Sequence, residues 1–158
     1  TLDECTTIIE IARPKMRPSQ VSGAAGTHHS QGRTSEQAWV AHDADASVYA
    51  VAERIAASVG LPLAHAEKLQ VIHYGPGQAY RPHYDAYDLD TAKGQRYCAR
   101  GGQRLVTALA YLMLVRRTAT RGRTTRAVRQ RVATSGRLTC GFTSTRTGQR
   151  HDVHAMRL

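Results

Sequence analysis

Hydrophobic residues recur at helical spacing in two segments near the amino terminus. Residues 3–17 place apolar positions behind the acidic pair Asp3-Glu4, and Arg13-Pro14 closes the segment. Residues 43–59 follow the same period behind Asp43 or Asp45 as a cap, and Gly60 can end that helix. The apolar positions are Ile8, Ile9, Ile11, Ala12, Val48, Val51, Ala52, Ile55, Ala56 and Val59. The pattern therefore predicts two amphipathic helices.

The pattern becomes strand-like in residues 67–74 and again in the apolar run 105–115. Between these strands, residues 88–100 are typical of an exposed, mobile loop, and residues 19–32, rich in Gly, Ser and Ala, predict another loop. Helices followed by β-segments indicate an α+β domain whose helices buttress one face of a sheet.

Composition is compatible with a single domain, residues 1–158, and its formal net charge is +10. The sequence has no apolar run of membrane-spanning length and no signal-peptide pattern, and it starts at Thr1, so we expect an excerpt of a longer chain. Three cysteines, Cys5, Cys98 and Cys140, without C-x-x-C spacing argue against a zinc site or a disulfide framework.

A His-x-Asp pair, His83 and Asp85, lies between the two predicted strands. On an extended backbone, side chains two residues apart leave the same face, so an imidazole and a carboxylate can converge on one metal ion. A distant third ligand would complete a 2-His-1-carboxylate triad of the kind that holds non-haem Fe(II), and His154 is the candidate. Strand, turn, ligand pair, loop and Gly-Gly-strand is the order expected for a metal in the mouth of a β-barrel-like sandwich.

Several separated blocks resemble the catalytic domain of the prolyl 4-hydroxylase alpha-subunit family. Members of this family are Fe(II)- and 2-oxoglutarate-dependent dioxygenases. The blocks are Glu4-Cys5 with Ile8-Ile9 and Ala12, Arg33-Thr34-Ser35 with Trp39, Glu67-x-Leu69-Gln70-Val71, Tyr74-x-x-Gly77-Gln78-x-Tyr80-x-x-His83-Tyr84-Asp85, and Gly101-Gly102-Gln103-Arg104-x-x-Thr107-x-x-x-Tyr111-Leu112. The resemblance covers residues 1 to about 115 and implies a double-stranded β-helix (jelly-roll) core behind the amino-terminal helices.

The resemblance also implies roles for individual residues. His83, Asp85 and His154 would hold Fe(II), and Tyr74 would bind the distal carboxylate of the co-substrate 2-oxoglutarate, with Thr107 near it. Tyr80 and Arg104 would face the substrate, a proline-containing peptide hydroxylated at C4, and L-ascorbate would keep the iron reduced. Nucleic acid is not expected as a partner, and the endoplasmic reticulum is the compartment implied for a eukaryotic member.

The resemblance degrades after Val115. Residues 116–150 contain ten arginines, and no Asp or Glu occurs between Asp90 and Asp152. Three interpretations stay open: a strip that binds polyanions, a divergent pair of strands with Ala127-Val128 and Arg131-Val132-Ala133 as weak alternation, and a translated frame that is wrong over this region.

The last residues resemble the family again. The separation of 69 residues from Asp85 to His154 is similar to that of the second and third ligands in the family, which favours His154 over His151. The basic residue that pairs with 2-oxoglutarate in the family would lie beyond Leu158, so the carboxyl-terminal part is expected to be incomplete or divergent. Two alternatives to proline hydroxylation remain: the same chemistry on another side chain, and an inactive basic module for an anionic partner.

Overall fold

The computed structural model describes residues 1–112, 130–134 and 153–157. The helices are α1 (Leu2–Ala12), α2 (Ala46–Val59) and α3 (Ala92–Cys98), with 3-10 turns at Arg13–Lys15, His42–Ala44 and Leu63–His65. The strands are β1 (Arg17–Pro18), β2 (Val21–Gly23), β3 (Gly26–His28), β4 (Glu36–Val40), β5 (Leu69–Tyr74), β6 (Val106–Leu112), β7 (Gln130–Thr134) and β8 (Val153–Arg157).

Six strands form one sheet in the order β1-β4-β5-β8-β6-β7, in which every pair is antiparallel, and β2 and β3 form a separate hairpin. The strand β8, last in the chain, lies between β5 and β6 and pairs with both. The sheet is therefore joined at its centre by residues far away in sequence.

The helices α1 and α2 pack on one face of the sheet, which we call the helix face. Alternate residues of three strands supply the apolar side of this contact, because side chains of a strand alternate between faces. The buried cluster contains Ile8, Ile9, Val48, Ala52 and Ile55 from the helices and Ala38, Val40, Leu69, Val71, Ala108, Ala110 and Leu112 from the strands. The opposite face, which we call the open face, carries the intervening positions, among them Gln70, Tyr74 and Thr107.

The helix ends agree with the sequence predictions. Thr1 and Glu4 form a capping box at the start of α1. At the start of α2 the side chain of Asp45 accepts from the Ser47 amide at 2.7 Å, and Gly60 ends the helix at φ 71°. This left-handed backbone conformation is the one that glycine adopts without steric cost.

Two of the predicted loops contain regular structure. Residues 19–32 include the β2–β3 hairpin, and residues 88–100 include α3, so both loop predictions are wrong. The strand β4 was not predicted at all. Helix α3 is capped by Thr91, whose hydroxyl accepts from the Gly94 amide; with only 7 residues it is too short for hydrophobic periodicity to reveal it.

Mixed helices and antiparallel strands confirm the α+β class. Over residues 1–112, 130–134 and 153–157 the sheet does not close into a barrel. Most of the arginine-rich segment 116–150, including Ala127-Val128, lies outside the described residues. The strand β7 includes the other segment of the strand-pair interpretation, Arg131-Val132-Ala133. In the part of the chain that the structure describes, no helix is long and apolar enough to cross a membrane.

Candidate metal centre

His83 and Asp85 lie in the irregular segment between β5 and α3, not on a regular strand as the sequence suggested. Their side chains nevertheless converge: His83 Nε2 is 3.3 Å from Asp85 Oδ1. The carboxylate is 7% exposed, whereas the imidazole is half-buried. The pair therefore sits at the boundary between the protein interior and solvent, where a ligand can reach it.

A hydrogen bond to the backbone fixes which nitrogen of His83 faces the carboxylate. His83 Nδ1 lies 2.8 Å from the Arg81 carbonyl oxygen, which can only accept, so Nδ1 carries the proton. In the neutral ring, Nε2 then directs a lone pair at a carboxylate oxygen. Two acceptors that face each other at this distance suit a metal ion between them.

The distance between these two atoms fits ligands of one metal ion. Metal–nitrogen and metal–oxygen bonds of about 2.1 Å, the length found for zinc, place two ligands at a right angle about 3 Å apart. The observed separation of 3.3 Å is close to that value. The hydrogen bond from Nδ1 to a carbonyl is also the usual partner that orients a metal-binding histidine. The residues present thus fit two of the three ligands of a facial triad.

Thr107 holds the other oxygen of the carboxylate. Its hydroxyl donates to Asp85 Oδ2 at 2.8 Å, and both side chains are buried. The structure shows that Thr107 contacts the carboxylate of a predicted metal ligand; its place near the co-substrate stays a prediction. Because Thr107 is on β6, this contact ties the irregular segment to the rigid sheet.

For the third predicted ligand, His154, the structure describes the backbone of β8. Position 154 is paired with His73 on β5 and with Leu112 on β6. Among the residues whose side chains the structure describes, no group of three or more His, Cys, Asp or Glu could hold a metal ion. The role of His154 stays a prediction.

Tyr74 is buried on the open face, at the end of β5. The strand register offsets it from Thr107 by six residue positions along the sheet, roughly 20 Å at 3.3 Å per residue. The predicted contact of Tyr74 with 2-oxoglutarate stays a prediction.

Tyr80 lies against the candidate ligand His83. The two rings stack with centroids 3.7 Å apart and an interplanar angle of 22°. On the Tyr80 ring lies the Arg33 guanidinium, 4.7 Å from the centroid. Sequence reasoning assigned Tyr80 to the substrate entrance; in the structure its ring contacts the imidazole of His83.

Arg104 is paired with an acid of the same chain. Its guanidinium donates to both carboxylate oxygens of Glu67, with Nη2 at 2.8 Å from Oε2, and lies 5.0 Å from the centroid of the Tyr87 ring. Burial acts to lower the pKa of Arg104, but the hydrogen-bonded Glu67 outweighs it, so the pKa is raised above its ordinary value. The guanidinium is therefore a permanent cation.

A groove of about 770 Å³ runs along this ion pair. Its walls include Trp39, Tyr87, Tyr97 and the start of β6. Aromatic walls next to a fixed cation suit an extended peptide better than a small anion, since Arg104 is already neutralised.

Sequence reasoning missed three contacts at this site: Thr107 with Asp85, Arg33 with Tyr80, and Glu67 with Arg104. Arg33 and Glu67 were part of the blocks that carried the resemblance, but nothing in their spacing identified their partners. Each pair is brought together by the fold across at least 22 residues of sequence.

Comparison with known proteins supports the resemblance over the same part of the chain. The chain is 38% identical over 114 residues to a probable prolyl 4-hydroxylase 10 of Arabidopsis thaliana, covering 71% of this chain and 38% of that protein. It is 34% identical over 109 residues to a putative prolyl 4-hydroxylase of Acanthamoeba polyphaga mimivirus, and 32% identical over 115 residues to the mouse prolyl 4-hydroxylase subunit alpha-3. These matches cover 69% and 72% of this chain, and 43% and 21% of the two relatives. No family model matches the chain.

The fold and the His83–Asp85 pair define a candidate metal centre in an α+β domain. The similarity to these relatives identifies it as a prolyl 4-hydroxylase-like domain. The chain spans less than two fifths of the length of the first curated relatives it matches.

Proposed function

We propose that the chain is the catalytic part of an Fe(II)- and 2-oxoglutarate-dependent dioxygenase that hydroxylates peptidyl proline at C4. The observation that carries the proposal is the convergence of His83 Nε2 and Asp85 Oδ1 at 3.3 Å, with the tautomer of His83 set by the Arg81 carbonyl. The names of the relatives support the reaction type. We also propose that the domain of which this chain is part has a double-stranded β-helix (jelly-roll) core.

Iron held at this site would supply the oxidation, with dioxygen as oxidant, 2-oxoglutarate as the co-substrate that is decarboxylated, and ascorbate as the reductant. His83 and Asp85 are the ligands that the geometry favours, and His154 is the third ligand that the sequence favours. Tyr74 is the proposed donor to the far carboxylate of 2-oxoglutarate, since a phenol donates well to a carboxylate. Thr107 would keep Asp85 in place through its hydrogen bond to Oδ2.

The remaining residues of the site would position the peptide. Arg104 and Tyr87 lie on the groove, and the Glu67 carboxylate holds the guanidinium in one orientation. A proline-rich segment in the polyproline-II conformation presents flat rings that pack on aromatic walls. Tyr80 would lie near the substrate because its ring stacks on the proposed ligand His83.

The test is an anaerobic titration of the purified chain with Fe(II) and 2-oxoglutarate, followed by the weak visible charge-transfer band of the chelate. We expect a band in the parent chain that disappears in His83→Ala and in Asp85→Ala. His154→Ala and His151→Ala form a matched pair for the third ligand, because the two histidines are three residues apart. Loss in His154→Ala alone assigns the ligand that the sequence favours.

A chain that gives the band should then be supplied with proline-containing peptides and assayed for hydroxyproline and succinate. A chain that gives the band and hydroxylates another side chain, but forms no hydroxyproline, would have the same chemistry on a different substrate. Absence of the band in the parent chain at millimolar Fe(II) would contradict the proposal.

A further inference from the structure

Arg33 is almost completely buried, at 8% exposure, which is uncommon for an arginine. Its Nη1 donates to the Gln20 carbonyl at 2.9 Å, and its guanidinium covers one face of the Tyr80 ring. A cation over an aromatic face is attracted by the negative potential of the ring, and the attraction is stronger where water is excluded. The burial of Arg33 therefore restricts the position of Tyr80.

Backbone contacts fix the same two residues. Arg33 and Tyr80 form an antiparallel bridge, and the Arg81 amide donates to the Gly32 carbonyl at 2.8 Å. One residue further on, the Thr34 amide donates to the Ala79 carbonyl at 3.0 Å. The segment that carries Tyr80 is thus bound along its length to the segment that carries Arg33.

Tyr80 in turn covers one face of the His83 imidazole, at 3.7 Å between centroids. The Nδ1 edge of that imidazole is bound to the Arg81 carbonyl. A half-turn of the ring about its χ2 angle would break the hydrogen bond of Nδ1, and a smaller rotation would turn the ring out of the stack. With a face and an edge restrained, the ring holds Nε2 towards Asp85.

We propose that Arg33 and Tyr80 are positioning residues for His83. The three side chains form a stacked column, guanidinium on phenol on imidazole, that fixes the orientation in which Nε2 faces Asp85 before any ligand binds. This proposal deepens the proposed function. Only the effect of the column on metal binding rests on that function. Its consequence for the metal-free protein can be measured separately.

The primary test is the NMR signal of the His83 Hε1 proton, with its ring nitrogens, in the metal-free chain labelled at histidine and assigned with His83→Gln. A proton stacked on an aromatic ring is shielded by the ring current, so we expect an upfield Hε1 signal and an Nδ1-protonated tautomer. Tyr80→Leu should move the signal downfield and mix the tautomers, whereas Tyr80→Phe should keep both. Tyr84→Leu is the matched control, since Tyr84 is 66% exposed.

Arg33→Lys tests the other end of the column and serves as a milder variant should Tyr80→Leu not fold. Lysine keeps the charge but lacks the planar group that stacks on the ring, so we expect a downfield movement in the same direction. An Hε1 signal that is the same in the parent chain, Tyr80→Leu and Arg33→Lys would overturn the proposal.

The second readout is the dissociation constant for Zn²⁺ or Co²⁺, measured in competition with a chelator. Loss of a group that orients a ligand weakens metal binding by about 10-fold or more, so we expect this loss in Tyr80→Leu and none in Tyr80→Phe or Tyr84→Leu. A moved Hε1 signal with unchanged affinity would overturn the positioning role. A parent chain that binds no metal would contradict the proposed function, while the NMR comparison would still decide whether the column orients His83.

Discussion

The carboxylate of Asp85 is buried, so it needs hydrogen-bond donors inside the protein. Thr107 supplies one of them across 22 residues of sequence, from a strand that packs on the helices through its other face. A buried acceptor that loses a donor retains its desolvation cost without compensation. The hydroxyl of Thr107 therefore affects both the stability of the fold and the orientation of a candidate ligand.

Replacement of Thr107 by valine should destabilise the chain by about 1–3 kcal/mol, because valine has nearly the same shape but leaves Asp85 Oδ2 without this donor. Urea unfolding followed by circular dichroism measures the change. Thr107→Ser is the control, since it keeps the hydroxyl and loses only a methyl group. A valine variant as stable as the parent chain, together with a less stable serine variant, would show that the methyl group, not the hydrogen bond, matters at this position.

Single-residue roles at the site could be predicted only in part. The proximity of His83 and Asp85 follows from their spacing, since two residues so near in sequence can meet in many conformations. Arg104 and Tyr80 were assigned to a substrate surface, but each contacts a partner from another part of the chain, Glu67 and His83. Such contacts depend on how loops pack, which residue type and spacing do not determine.

Helix α2 begins at a cap that the sequence left open between Asp43 and Asp45. The structure selects Asp45, whose carboxylate accepts from the Ser47 amide, whereas Asp43 lies in the preceding 3-10 turn and is exposed. Asp45→Ala should therefore destabilise the chain by about 1 kcal/mol. Asp43→Ala, measured by the same thermal unfolding, should change stability by less than about 0.5 kcal/mol. A larger loss of stability in Asp43→Ala than in Asp45→Ala would show that Asp43, not Asp45, caps the helix.

Helix α3 depends on a glycine at its third position. A Cβ atom at Gly94 would lie 1.9 Å from the Asp88 carbonyl oxygen, a backbone atom that cannot move without opening the loop. Gly94→Ala should therefore loosen residues 88–98 and speed tryptic cleavage after Lys93 or Arg96. Gly101→Ala is the matched control, because a Cβ there meets nothing within 4 Å. Similar cleavage rates in the two variants would contradict the close packing of α3.

The predicted elements were those with a long periodic pattern. Helices α1 and α2 were found because their apolar positions repeat over several turns, and β5 and β6 because each is a run of apolar residues next to glycines. The hairpin β2–β3 has strands of 3 residues each, and β4 has 5, so neither offers enough alternation to be recognised. Their formation depends on pairing, not on local preference.

At the scale of the whole molecule, the order of strands could not be predicted. β5 and β6 do not pair with each other; both pair with β8, whose register with β5 joins Tyr74 to Val153. Pairing over such a separation is set by the packing of the complete sheet and leaves no local signal. The central place of β8 makes the described sheet dependent on the last residues of the chain.

The final prediction tests that dependence with proline, which has no amide hydrogen for a ladder hydrogen bond. In a central strand every amide faces a neighbouring strand, so Ala155→Pro and Met156→Pro should both destabilise the chain strongly, by about 2–4 kcal/mol in urea unfolding. Among the described strands, β7 lies at an edge of the sheet, where alternate amides face away from it.

The matched edge variants are Val132→Pro and Ala133→Pro, two neighbours in β7. Because their amides point in opposite directions, one of the two should cost less than about 1 kcal/mol, while the other loses its bond to β6. Two severe variants in β8 with one mild variant in β7 would support the strand order. Mild effects at both β8 positions would mean that β5 and β6 are held together without it, and the register that relates Tyr74 and position 154 to β6 would then have to be revised.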